Sequence, residues 1–352
     1  MLHLDTLWFI LIAILWIGFF VLEGFDFGVG VLHTLVGRTE AERATVLGTI
    51  GPWWDGNEVW LIVAGAGMFA AFPAWYATMF SALYLALLLV LAALMARGVA
   101  FEFTRKRSDP RWRRTWMWCT TIGSLLIPLL LGIGLGDLLT GLPIDSSHDF
   151  TGNFFDLLTG YGIWTGLTLL GLSLLHGATF LKLRTSGQLR ERARALARPL
   201  GWVAIALVLG FVIWTRAVAG GAEVPDPVEI LAILAVVFAA RLAVTDHDGW
   251  AFTASAIAIA ACVGSIFIDL HPNVMVSSTS AAYNLTVSNA ASGHYALTVM
   301  TIVTLIFLPL VLLYQGWSFH VFRGRLKEPS DGAETPAAAS VAPPAPPAAP
   351  PA

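Results

Sequence analysis

The run GPWWDGNEVWL at 51–61 sets Asp55, Asn57 and Glu58 among Trp53, Trp54 and Trp60, at the head of a stretch that stays apolar to Ala71. Ionisable side chains at membrane depth are costly, and they mark a pathway or a charge partner. On a helix beginning near Val46, Asp55 lies about nine residues in, roughly 13 Å deep at 1.5 Å per residue. A carboxylate at that depth has to be protonated, paired or hydrated. The functional reading of Asp55 is a proton relay or charge partner reached from the cytoplasm. The plainer alternative is a polar helix contact satisfied by Asn57 or by backbone.

A second set of charges lies upstream and downstream of that run. EGFDFGVG at 23–30 puts Glu23 and Asp26 three residues apart, on neighbouring positions of one helix face. Gly24, Gly28 and Gly30 leave that surface smooth enough for another helix to come close. No strand precedes the glycines, so they are not a dinucleotide-binding turn. Arg97 is the candidate counter-ion for Glu23 or Asp26, since an unpaired guanidinium within a span is expensive. With Glu58 these residues form a candidate buried charge network, and a purely structural ion pair is the competing view. Glu102 and Lys106 are four apart in the favourable order for a helical pair, worth a few tenths of a kcal/mol at a surface. Beside Asp55 on an adjacent helix, they would form the mouth of a hydrated proton path.

The 8 histidines offer no pair that stands out as haem ligands. His3, His148, His247, His271, His294 and His320 fall in loops or near helix ends, and His33 is close to the end of the first span. His176 alone lies well inside one, and it reads as a hydrogen-bonded interior residue. Cys119 and Cys262 read as small buried hydrophobes, with no disulfide framework or metal-ligand spacing.

The elements that position these groups are membrane helices. The chain has 352 residues, 57% hydrophobic and 12% charged, about half the charge of a soluble domain. Nine apolar spans are expected, near 6–35, 46–71, 76–103, 114–137, 157–183, 200–219, 227–244, 250–270 and 294–321. The first contains Glu23 and Asp26 and no cleavage site, so it reads as a retained helix and not a signal peptide. The polar turn TDHDGW at 245–250 makes the seventh and eighth spans an antiparallel pair. Of the 20 lysines and arginines, all but Arg97 and Arg216 fall on one side of this topology. The positive-inside rule makes that side cytoplasmic, with the N-terminus outside and the C-terminus inside. Trp75, Tyr76, Trp112, Trp116, Trp202 and Trp317 lie near span ends, as interfacial anchors do. GDLLTGLPIDSSHDFTGNFF at 136–155 and the Ser-, Thr- and Asn-rich stretch at 272–300 read as outer loops. Residues 1–327 form the membrane domain, and the Pro- and Ala-rich 328–352 read as a disordered cytoplasmic tail.

At these residues the chain closely resembles subunit II of the cytochrome bd quinol oxidases. The motifs are EGFDFGVG at 23–30, PWWDGNEVWL at 52–61, RGVAFEFTRK at 97–106, TGNFF at 151–155, GATFLKLRTSGQL at 177–189 and SST…LT…AS…LTVM at 277–300. The match runs nearly end to end apart from the tail. The resemblance implies an all-α protein of nine transmembrane helices, arranged as two four-helix bundles plus a peripheral helix. It implies a respiratory quinol oxidase in the bacterial cytoplasmic membrane, with catalysis on a haem-bearing subunit I that carries two b-type haems and one d-type haem. Quinol is the substrate, and a structural quinone, lipids and small single-helix accessory subunits are further expected partners. By the same resemblance Asp55, Glu102 and Lys106 would line a cytoplasmic proton path; some members bear Asp at the position of Glu102, which titrates as well. No catalytic or metal-ligating residue is expected in this chain. Without the resemblance, the competing readings are a proton-coupled transporter, which would show interrupted helices around a midplane site, and a pure assembly scaffold.

Overall fold

A computed structural model describes residues 3–104, 106–220 and 224–327. The expected tail at 328–352 lies outside the described residues. Helices dominate: α1 (Leu4–Val36), α2 (Glu40–Gly48), α3 (Trp54–Ala71), α4 (Pro73–Ala82), α5 (Tyr84–Phe103), α6 (Pro110–Thr140), α7 (Gly160–Arg184), α8 (Gly187–Ala219), α9 (Pro227–Ala243), α10 (Asp248–Leu270), the single turn α11 (Val287–Ala290) and α12 (His294–Val321). Among the described residues, α1, α5, α6, α7, α8, α10 and α12, 7 helices in all, are long and apolar enough to cross a membrane. Each of the nine expected spans contains a helix. α9 has only 17 residues, and α3 places Asp55, Asn57 and Glu58 in its opening turns.

Two expected spans are broken. The stretch 46–71 is not one helix: α2 stops at Gly48 and α3 starts at Trp54. Gly51 and Pro52 account for the gap, because proline has no N–H to donate and restricts the residue before it. The amides of Trp53 and Trp54 instead close a turn onto the carbonyl of Ile50. The stretch 76–103 is split at Leu83 between α4 and α5; neither proline nor glycine marks that break. Some helix starts carry side-chain caps. Thr39 and Glu42 form a reciprocal capping box on α2, and Asp226 and Glu229 do the same on α9.

α1 is the centre of the packing. It lies against α3, α6, α7 and α10, while α7 to α10 pack in sequence, with α9 and α10 an antiparallel pair as the short turn requires. The α1–α7 seam depends on glycine: a Cβ on Gly28 would sit 2.7 Å from the Cα of Gly177. α12 leans on α1 and α3 and is largely uncovered. At one end the loops meet through backbone hydrogen bonds between Leu142 and Val276 and from Ser278 to Leu142. A small antiparallel pair there joins β1 (Asn273–Met275) to β2 (Leu285–Thr286). The opposite end, the basic end, carries most of the lysines and arginines. Trp202 and Trp317 are exposed as interfacial anchors should be, but Trp75 is fully buried. Its ring packs against Phe9 and Phe72, so it is a core residue and not an anchor.

Candidate functional site

The buried charges of α1, α3 and α5 come together in one seam. Glu23, Asp26 and Arg97 have no solvent exposure. Arg97 is held near the basic end of α5, where α6 approaches closely: a Cβ on Gly123 would lie 2.9 Å from the carbonyl of Ala93 and 3.2 Å from the Cβ of Arg97. Its guanidinium ion-pairs with Glu23, and its Nη1 is 3.9 Å from Oε1 of Glu58 on α3. The same group lies over the rings of Phe27 (5.0 Å) and Phe101 (5.6 Å), where the aromatic faces offset part of its lost hydration. The structure therefore brings Glu23, Glu58 and Arg97 together in one cluster, with Glu58 only partly buried.

Asn57 completes it. Its Nδ2 donates to Oδ2 of Asp26 at 2.8 Å and to the carbonyl of Leu22 at 3.1 Å. From α12, Nε2 of Gln315 donates to Oδ1 of Asn57 at 3.2 Å, and Nε1 of Trp60 donates to Oε1 of Gln315 at 3.0 Å. Glu23 Oε2, Asp26 Oδ1 and Arg97 Nε and Nη2 are buried without hydrogen-bond partners. Glu23 and Glu58 thus share one guanidinium, with Asp26 held beside them by Asn57, in a site where several polar atoms are left open. Such a group has room to change its proton content without dismantling a saturated network.

Asp55, Glu102 and Lys106 are placed differently from expectation. All three are exposed in this chain. Because the helix is interrupted, Asp55 stands in the first turn of α3 and not about nine residues down a continuous span. α5 ends at Phe103, before Lys106, so Glu102 and Lys106 do not share a helix, and no ion pair joins them among the described residues. The chain must turn there because Pro110 already opens α6, and the indole of Trp112 caps the carbonyl of Phe103. The three are nevertheless at the same end. Trp54 and Phe101 touch with ring centroids 4.9 Å apart, which sets the start of α3 beside the end of α5. Asp55 and Glu58, three apart on α3, lead from that exposed patch to the buried cluster.

His176 spends both ring nitrogens inside the protein, Nδ1 on Ser255 Oγ at 2.7 Å and Nε2 on the carbonyl of Val21 at 3.1 Å. It does not fit a haem ligand, and no metal-holding group of His, Cys, Asp and Glu occurs among the described residues. Two further charge groups escaped the sequence reading. At the basic end Lys182, Arg190 and Arg325 converge on Asp248. At the other end Arg216 pairs with Glu229 and Asp269. A charged residue inside an apolar run was the available signal for Lys182. Gln315 had none, since a single amide in an apolar helix is unremarkable.

The model of the family described as cytochrome bd terminal oxidase subunit II matches residues 4–322. The chain is 44% identical over 339 residues to the cytochrome bd ubiquinol oxidase subunit 2 of Bacillus subtilis (strain 168), covering 94% of this chain and 99% of that protein. It is 34% identical over 363 residues to the cytochrome bd-I ubiquinol oxidase subunit 2 of Escherichia coli (strain K12), covering 92% and 95%. Among solved structures, a chain of the bd oxidase from Geobacillus thermodenitrificans superposes with a TM-score of 0.73 at 17% identity, covering 91% of this chain and 99% of that one. At that identity the likeness concerns the fold.

Proposed function

The chain belongs to the cytochrome bd terminal oxidase subunit II family, and from that premise we propose that it carries protons from its basic end towards the oxygen-reducing centre of a partner subunit. As a family member it is an integral membrane subunit of a haem-containing quinol oxidase complex that includes subunit I. In the proposed arrangement the basic end is cytoplasmic and the N-terminus outside. α1 and α3 to α6 make one bundle of four spans, α7 to α10 a second, and α12 is the peripheral helix. Subunit I holds two b-type haems and one d-type haem and oxidises the quinol.

The observation that carries the proposal is the cluster of Glu23, Asp26 and Glu58 around Arg97, with Asp55 on the exposed turn that leads to it. Reduction of dioxygen consumes protons as well as electrons at one buried centre. Drawing those protons from the cytoplasm moves charge through the membrane, which stores about 2.3 kcal/mol per charge per 100 mV. Asp55, Glu102 and Lys106 gather protons and water at the mouth. Glu58 then connects that mouth to the seam, where Asp26 and Glu23 exchange a proton beside a fixed positive charge. Exposure of the mouth residues in the single chain fits a conduit whose wall is completed by the partner.

The test is oxygen consumption and charge movement by the assembled oxidase in proteoliposomes. Asp55→Asn, alone and with Glu102→Ala, is expected to slow both by roughly tenfold or more, equivalent to about 1.4 kcal/mol of added barrier. Full turnover with full charge movement in the double variant would leave the chain a scaffold.

A further inference from the structure

We propose that Gln315 is a positioning residue for this cluster, part of a one-way donor relay that confines any proton on Asp26 to Oδ1; the inference rests on the proton-path reading. The direction of the relay follows from the one group in it with no choice. The indole Nε1 of Trp60 can only donate, and it lies 3.0 Å from Oε1 of Gln315. That contact commits the amide oxygen of Gln315 and turns its NH2 to Oδ1 of Asn57, 3.2 Å away. Asn57 is turned in consequence, so that its own NH2 faces Oδ2 of Asp26 at 2.8 Å and the carbonyl of Leu22 at 3.1 Å. Neither amide can flip without setting donor against donor or acceptor against acceptor. The relay ends on a carboxyl oxygen that must accept.

Oδ2 of Asp26 is therefore occupied, while Oδ1 is buried and has no partner. The charged groups acting on Asp26 are Glu23 on its own helix and Arg97 on α5, and Glu58 on α3 reaches the same guanidinium. The relay explains a feature of α12 that packing does not. That helix is nearly bare, with Leu312, Leu313, Tyr314 and Trp317 all exposed, yet Gln315 is turned inward. One turn further on, Phe319 stacks on Trp53 with centroids 4.9 Å apart, which keeps the helix against the head of α3.

Redox-difference infrared spectra of the assembled oxidase read the carbonyl stretch of a protonated carboxyl and thus test the relay. The expected result is a band that Asp26→Asn removes and Gln315→Met moves to higher wavenumber, because Oδ2 loses a firmly held donor. Turnover in Gln315→Met falls roughly two- to tenfold, the loss of about one hydrogen bond, with haem content unchanged. Trp60→Phe keeps an aromatic side chain but replaces the indole with a smaller ring that has no N–H, and it moves the band the same way by less. If Gln315→Met does not assemble, that second variant decides by the same band. A band unmoved in both variants overturns the relay and leaves the proton path standing. Full turnover in Asp26→Asn, with no band lost, overturns both.

Discussion

Two groups of buried charge lie in the two halves of the chain, and they are built on opposite balances. Around Arg97, Glu23 and Glu58 share one guanidinium with Asp26 held beside them by Asn57, and Glu23 Oε2, Asp26 Oδ1 and two guanidinium nitrogens stay unpartnered. Around Asp248, one carboxylate receives Lys182 at 3.2 Å, Arg190 at 3.1 Å and Arg325 at 2.9 Å. Lys182 also donates to the carbonyls of Ala243 at 2.6 Å and Thr245 at 2.8 Å, closing the end of α9. The second group is saturated and ties three segments together, including the last described residues. The first has an excess of carboxyl and open valences. Burial alone therefore does not distinguish the two groups; the difference is whether their partners leave hydrogen-bonding capacity open.

Removing the central charge of each group is the most direct way to break this contrast. Arg97→Met strips the cation from Glu23 and Glu58 and is expected to cost about 3–5 kcal/mol, with turnover lost alongside assembly. Asp248→Asn is milder, since Arg325 is 49% exposed and can be rehydrated. About 2 kcal/mol is expected there, as a lower thermal midpoint, with quinol oxidation per haem retained in the surviving complex. If Asp248→Asn abolished turnover at unchanged stability, the two groups would not differ in kind.

The helical architecture was legible because apolar runs of membrane length leave few alternatives, and each expected span does contain a helix. The break after Gly48 was missed although Gly51 and Pro52 spell it out, because hydropathy is blind to backbone donors. That miss moved Asp55 from an expected depth to an exposed first turn. The pairing of Glu23 with Arg97 was readable, as an isolated cation within a span needs an acid. Asn57 and Gln315 were not, since amides carry no charge to be balanced and their roles depend on which helices meet. The burial of Trp75 was hidden for a similar reason: a tryptophan near a span end fits a lipid anchor or a core ring equally well until its neighbours are known.

The seam between the two regions can be tested by itself. Gly28→Ala would place its Cβ 2.7 Å from the Cα of Gly177, against backbone that cannot yield as a side chain would. A cost of about 1–2 kcal/mol is expected from forcing α1 and α7 apart. Both charge groups hang on these two helices, so the variant should lower the thermal midpoint and turnover together. An unchanged thermal midpoint would mean that the halves are joined elsewhere.

The smallest effect concerns the polar clasp between the halves at the basic end. Glu42 on α2 accepts from the backbone amides of Arg38 at 2.6 Å and Thr39 at 3.1 Å, and from Arg192 on α8 at 2.9 Å. Burial pushes its carboxyl up, but the Arg192 guanidinium, followed by these amides, brings it below the ordinary value on balance. A carboxyl lowered by folding stabilises fully above its unfolded value, near 4.3, and loses that contribution as pH falls through the folded value. Glu42→Gln keeps a side chain that still caps α2 and removes only the charge facing Arg192, for about 0.5–1 kcal/mol. The thermal midpoints of wild type and variant should therefore differ at neutral pH and converge as pH falls below the unfolded value and through the folded one. A gap that stays constant from neutral to acid would assign the clasp to the hydrogen-bonded cap alone, and the two halves would then be held at this end without any help from charge.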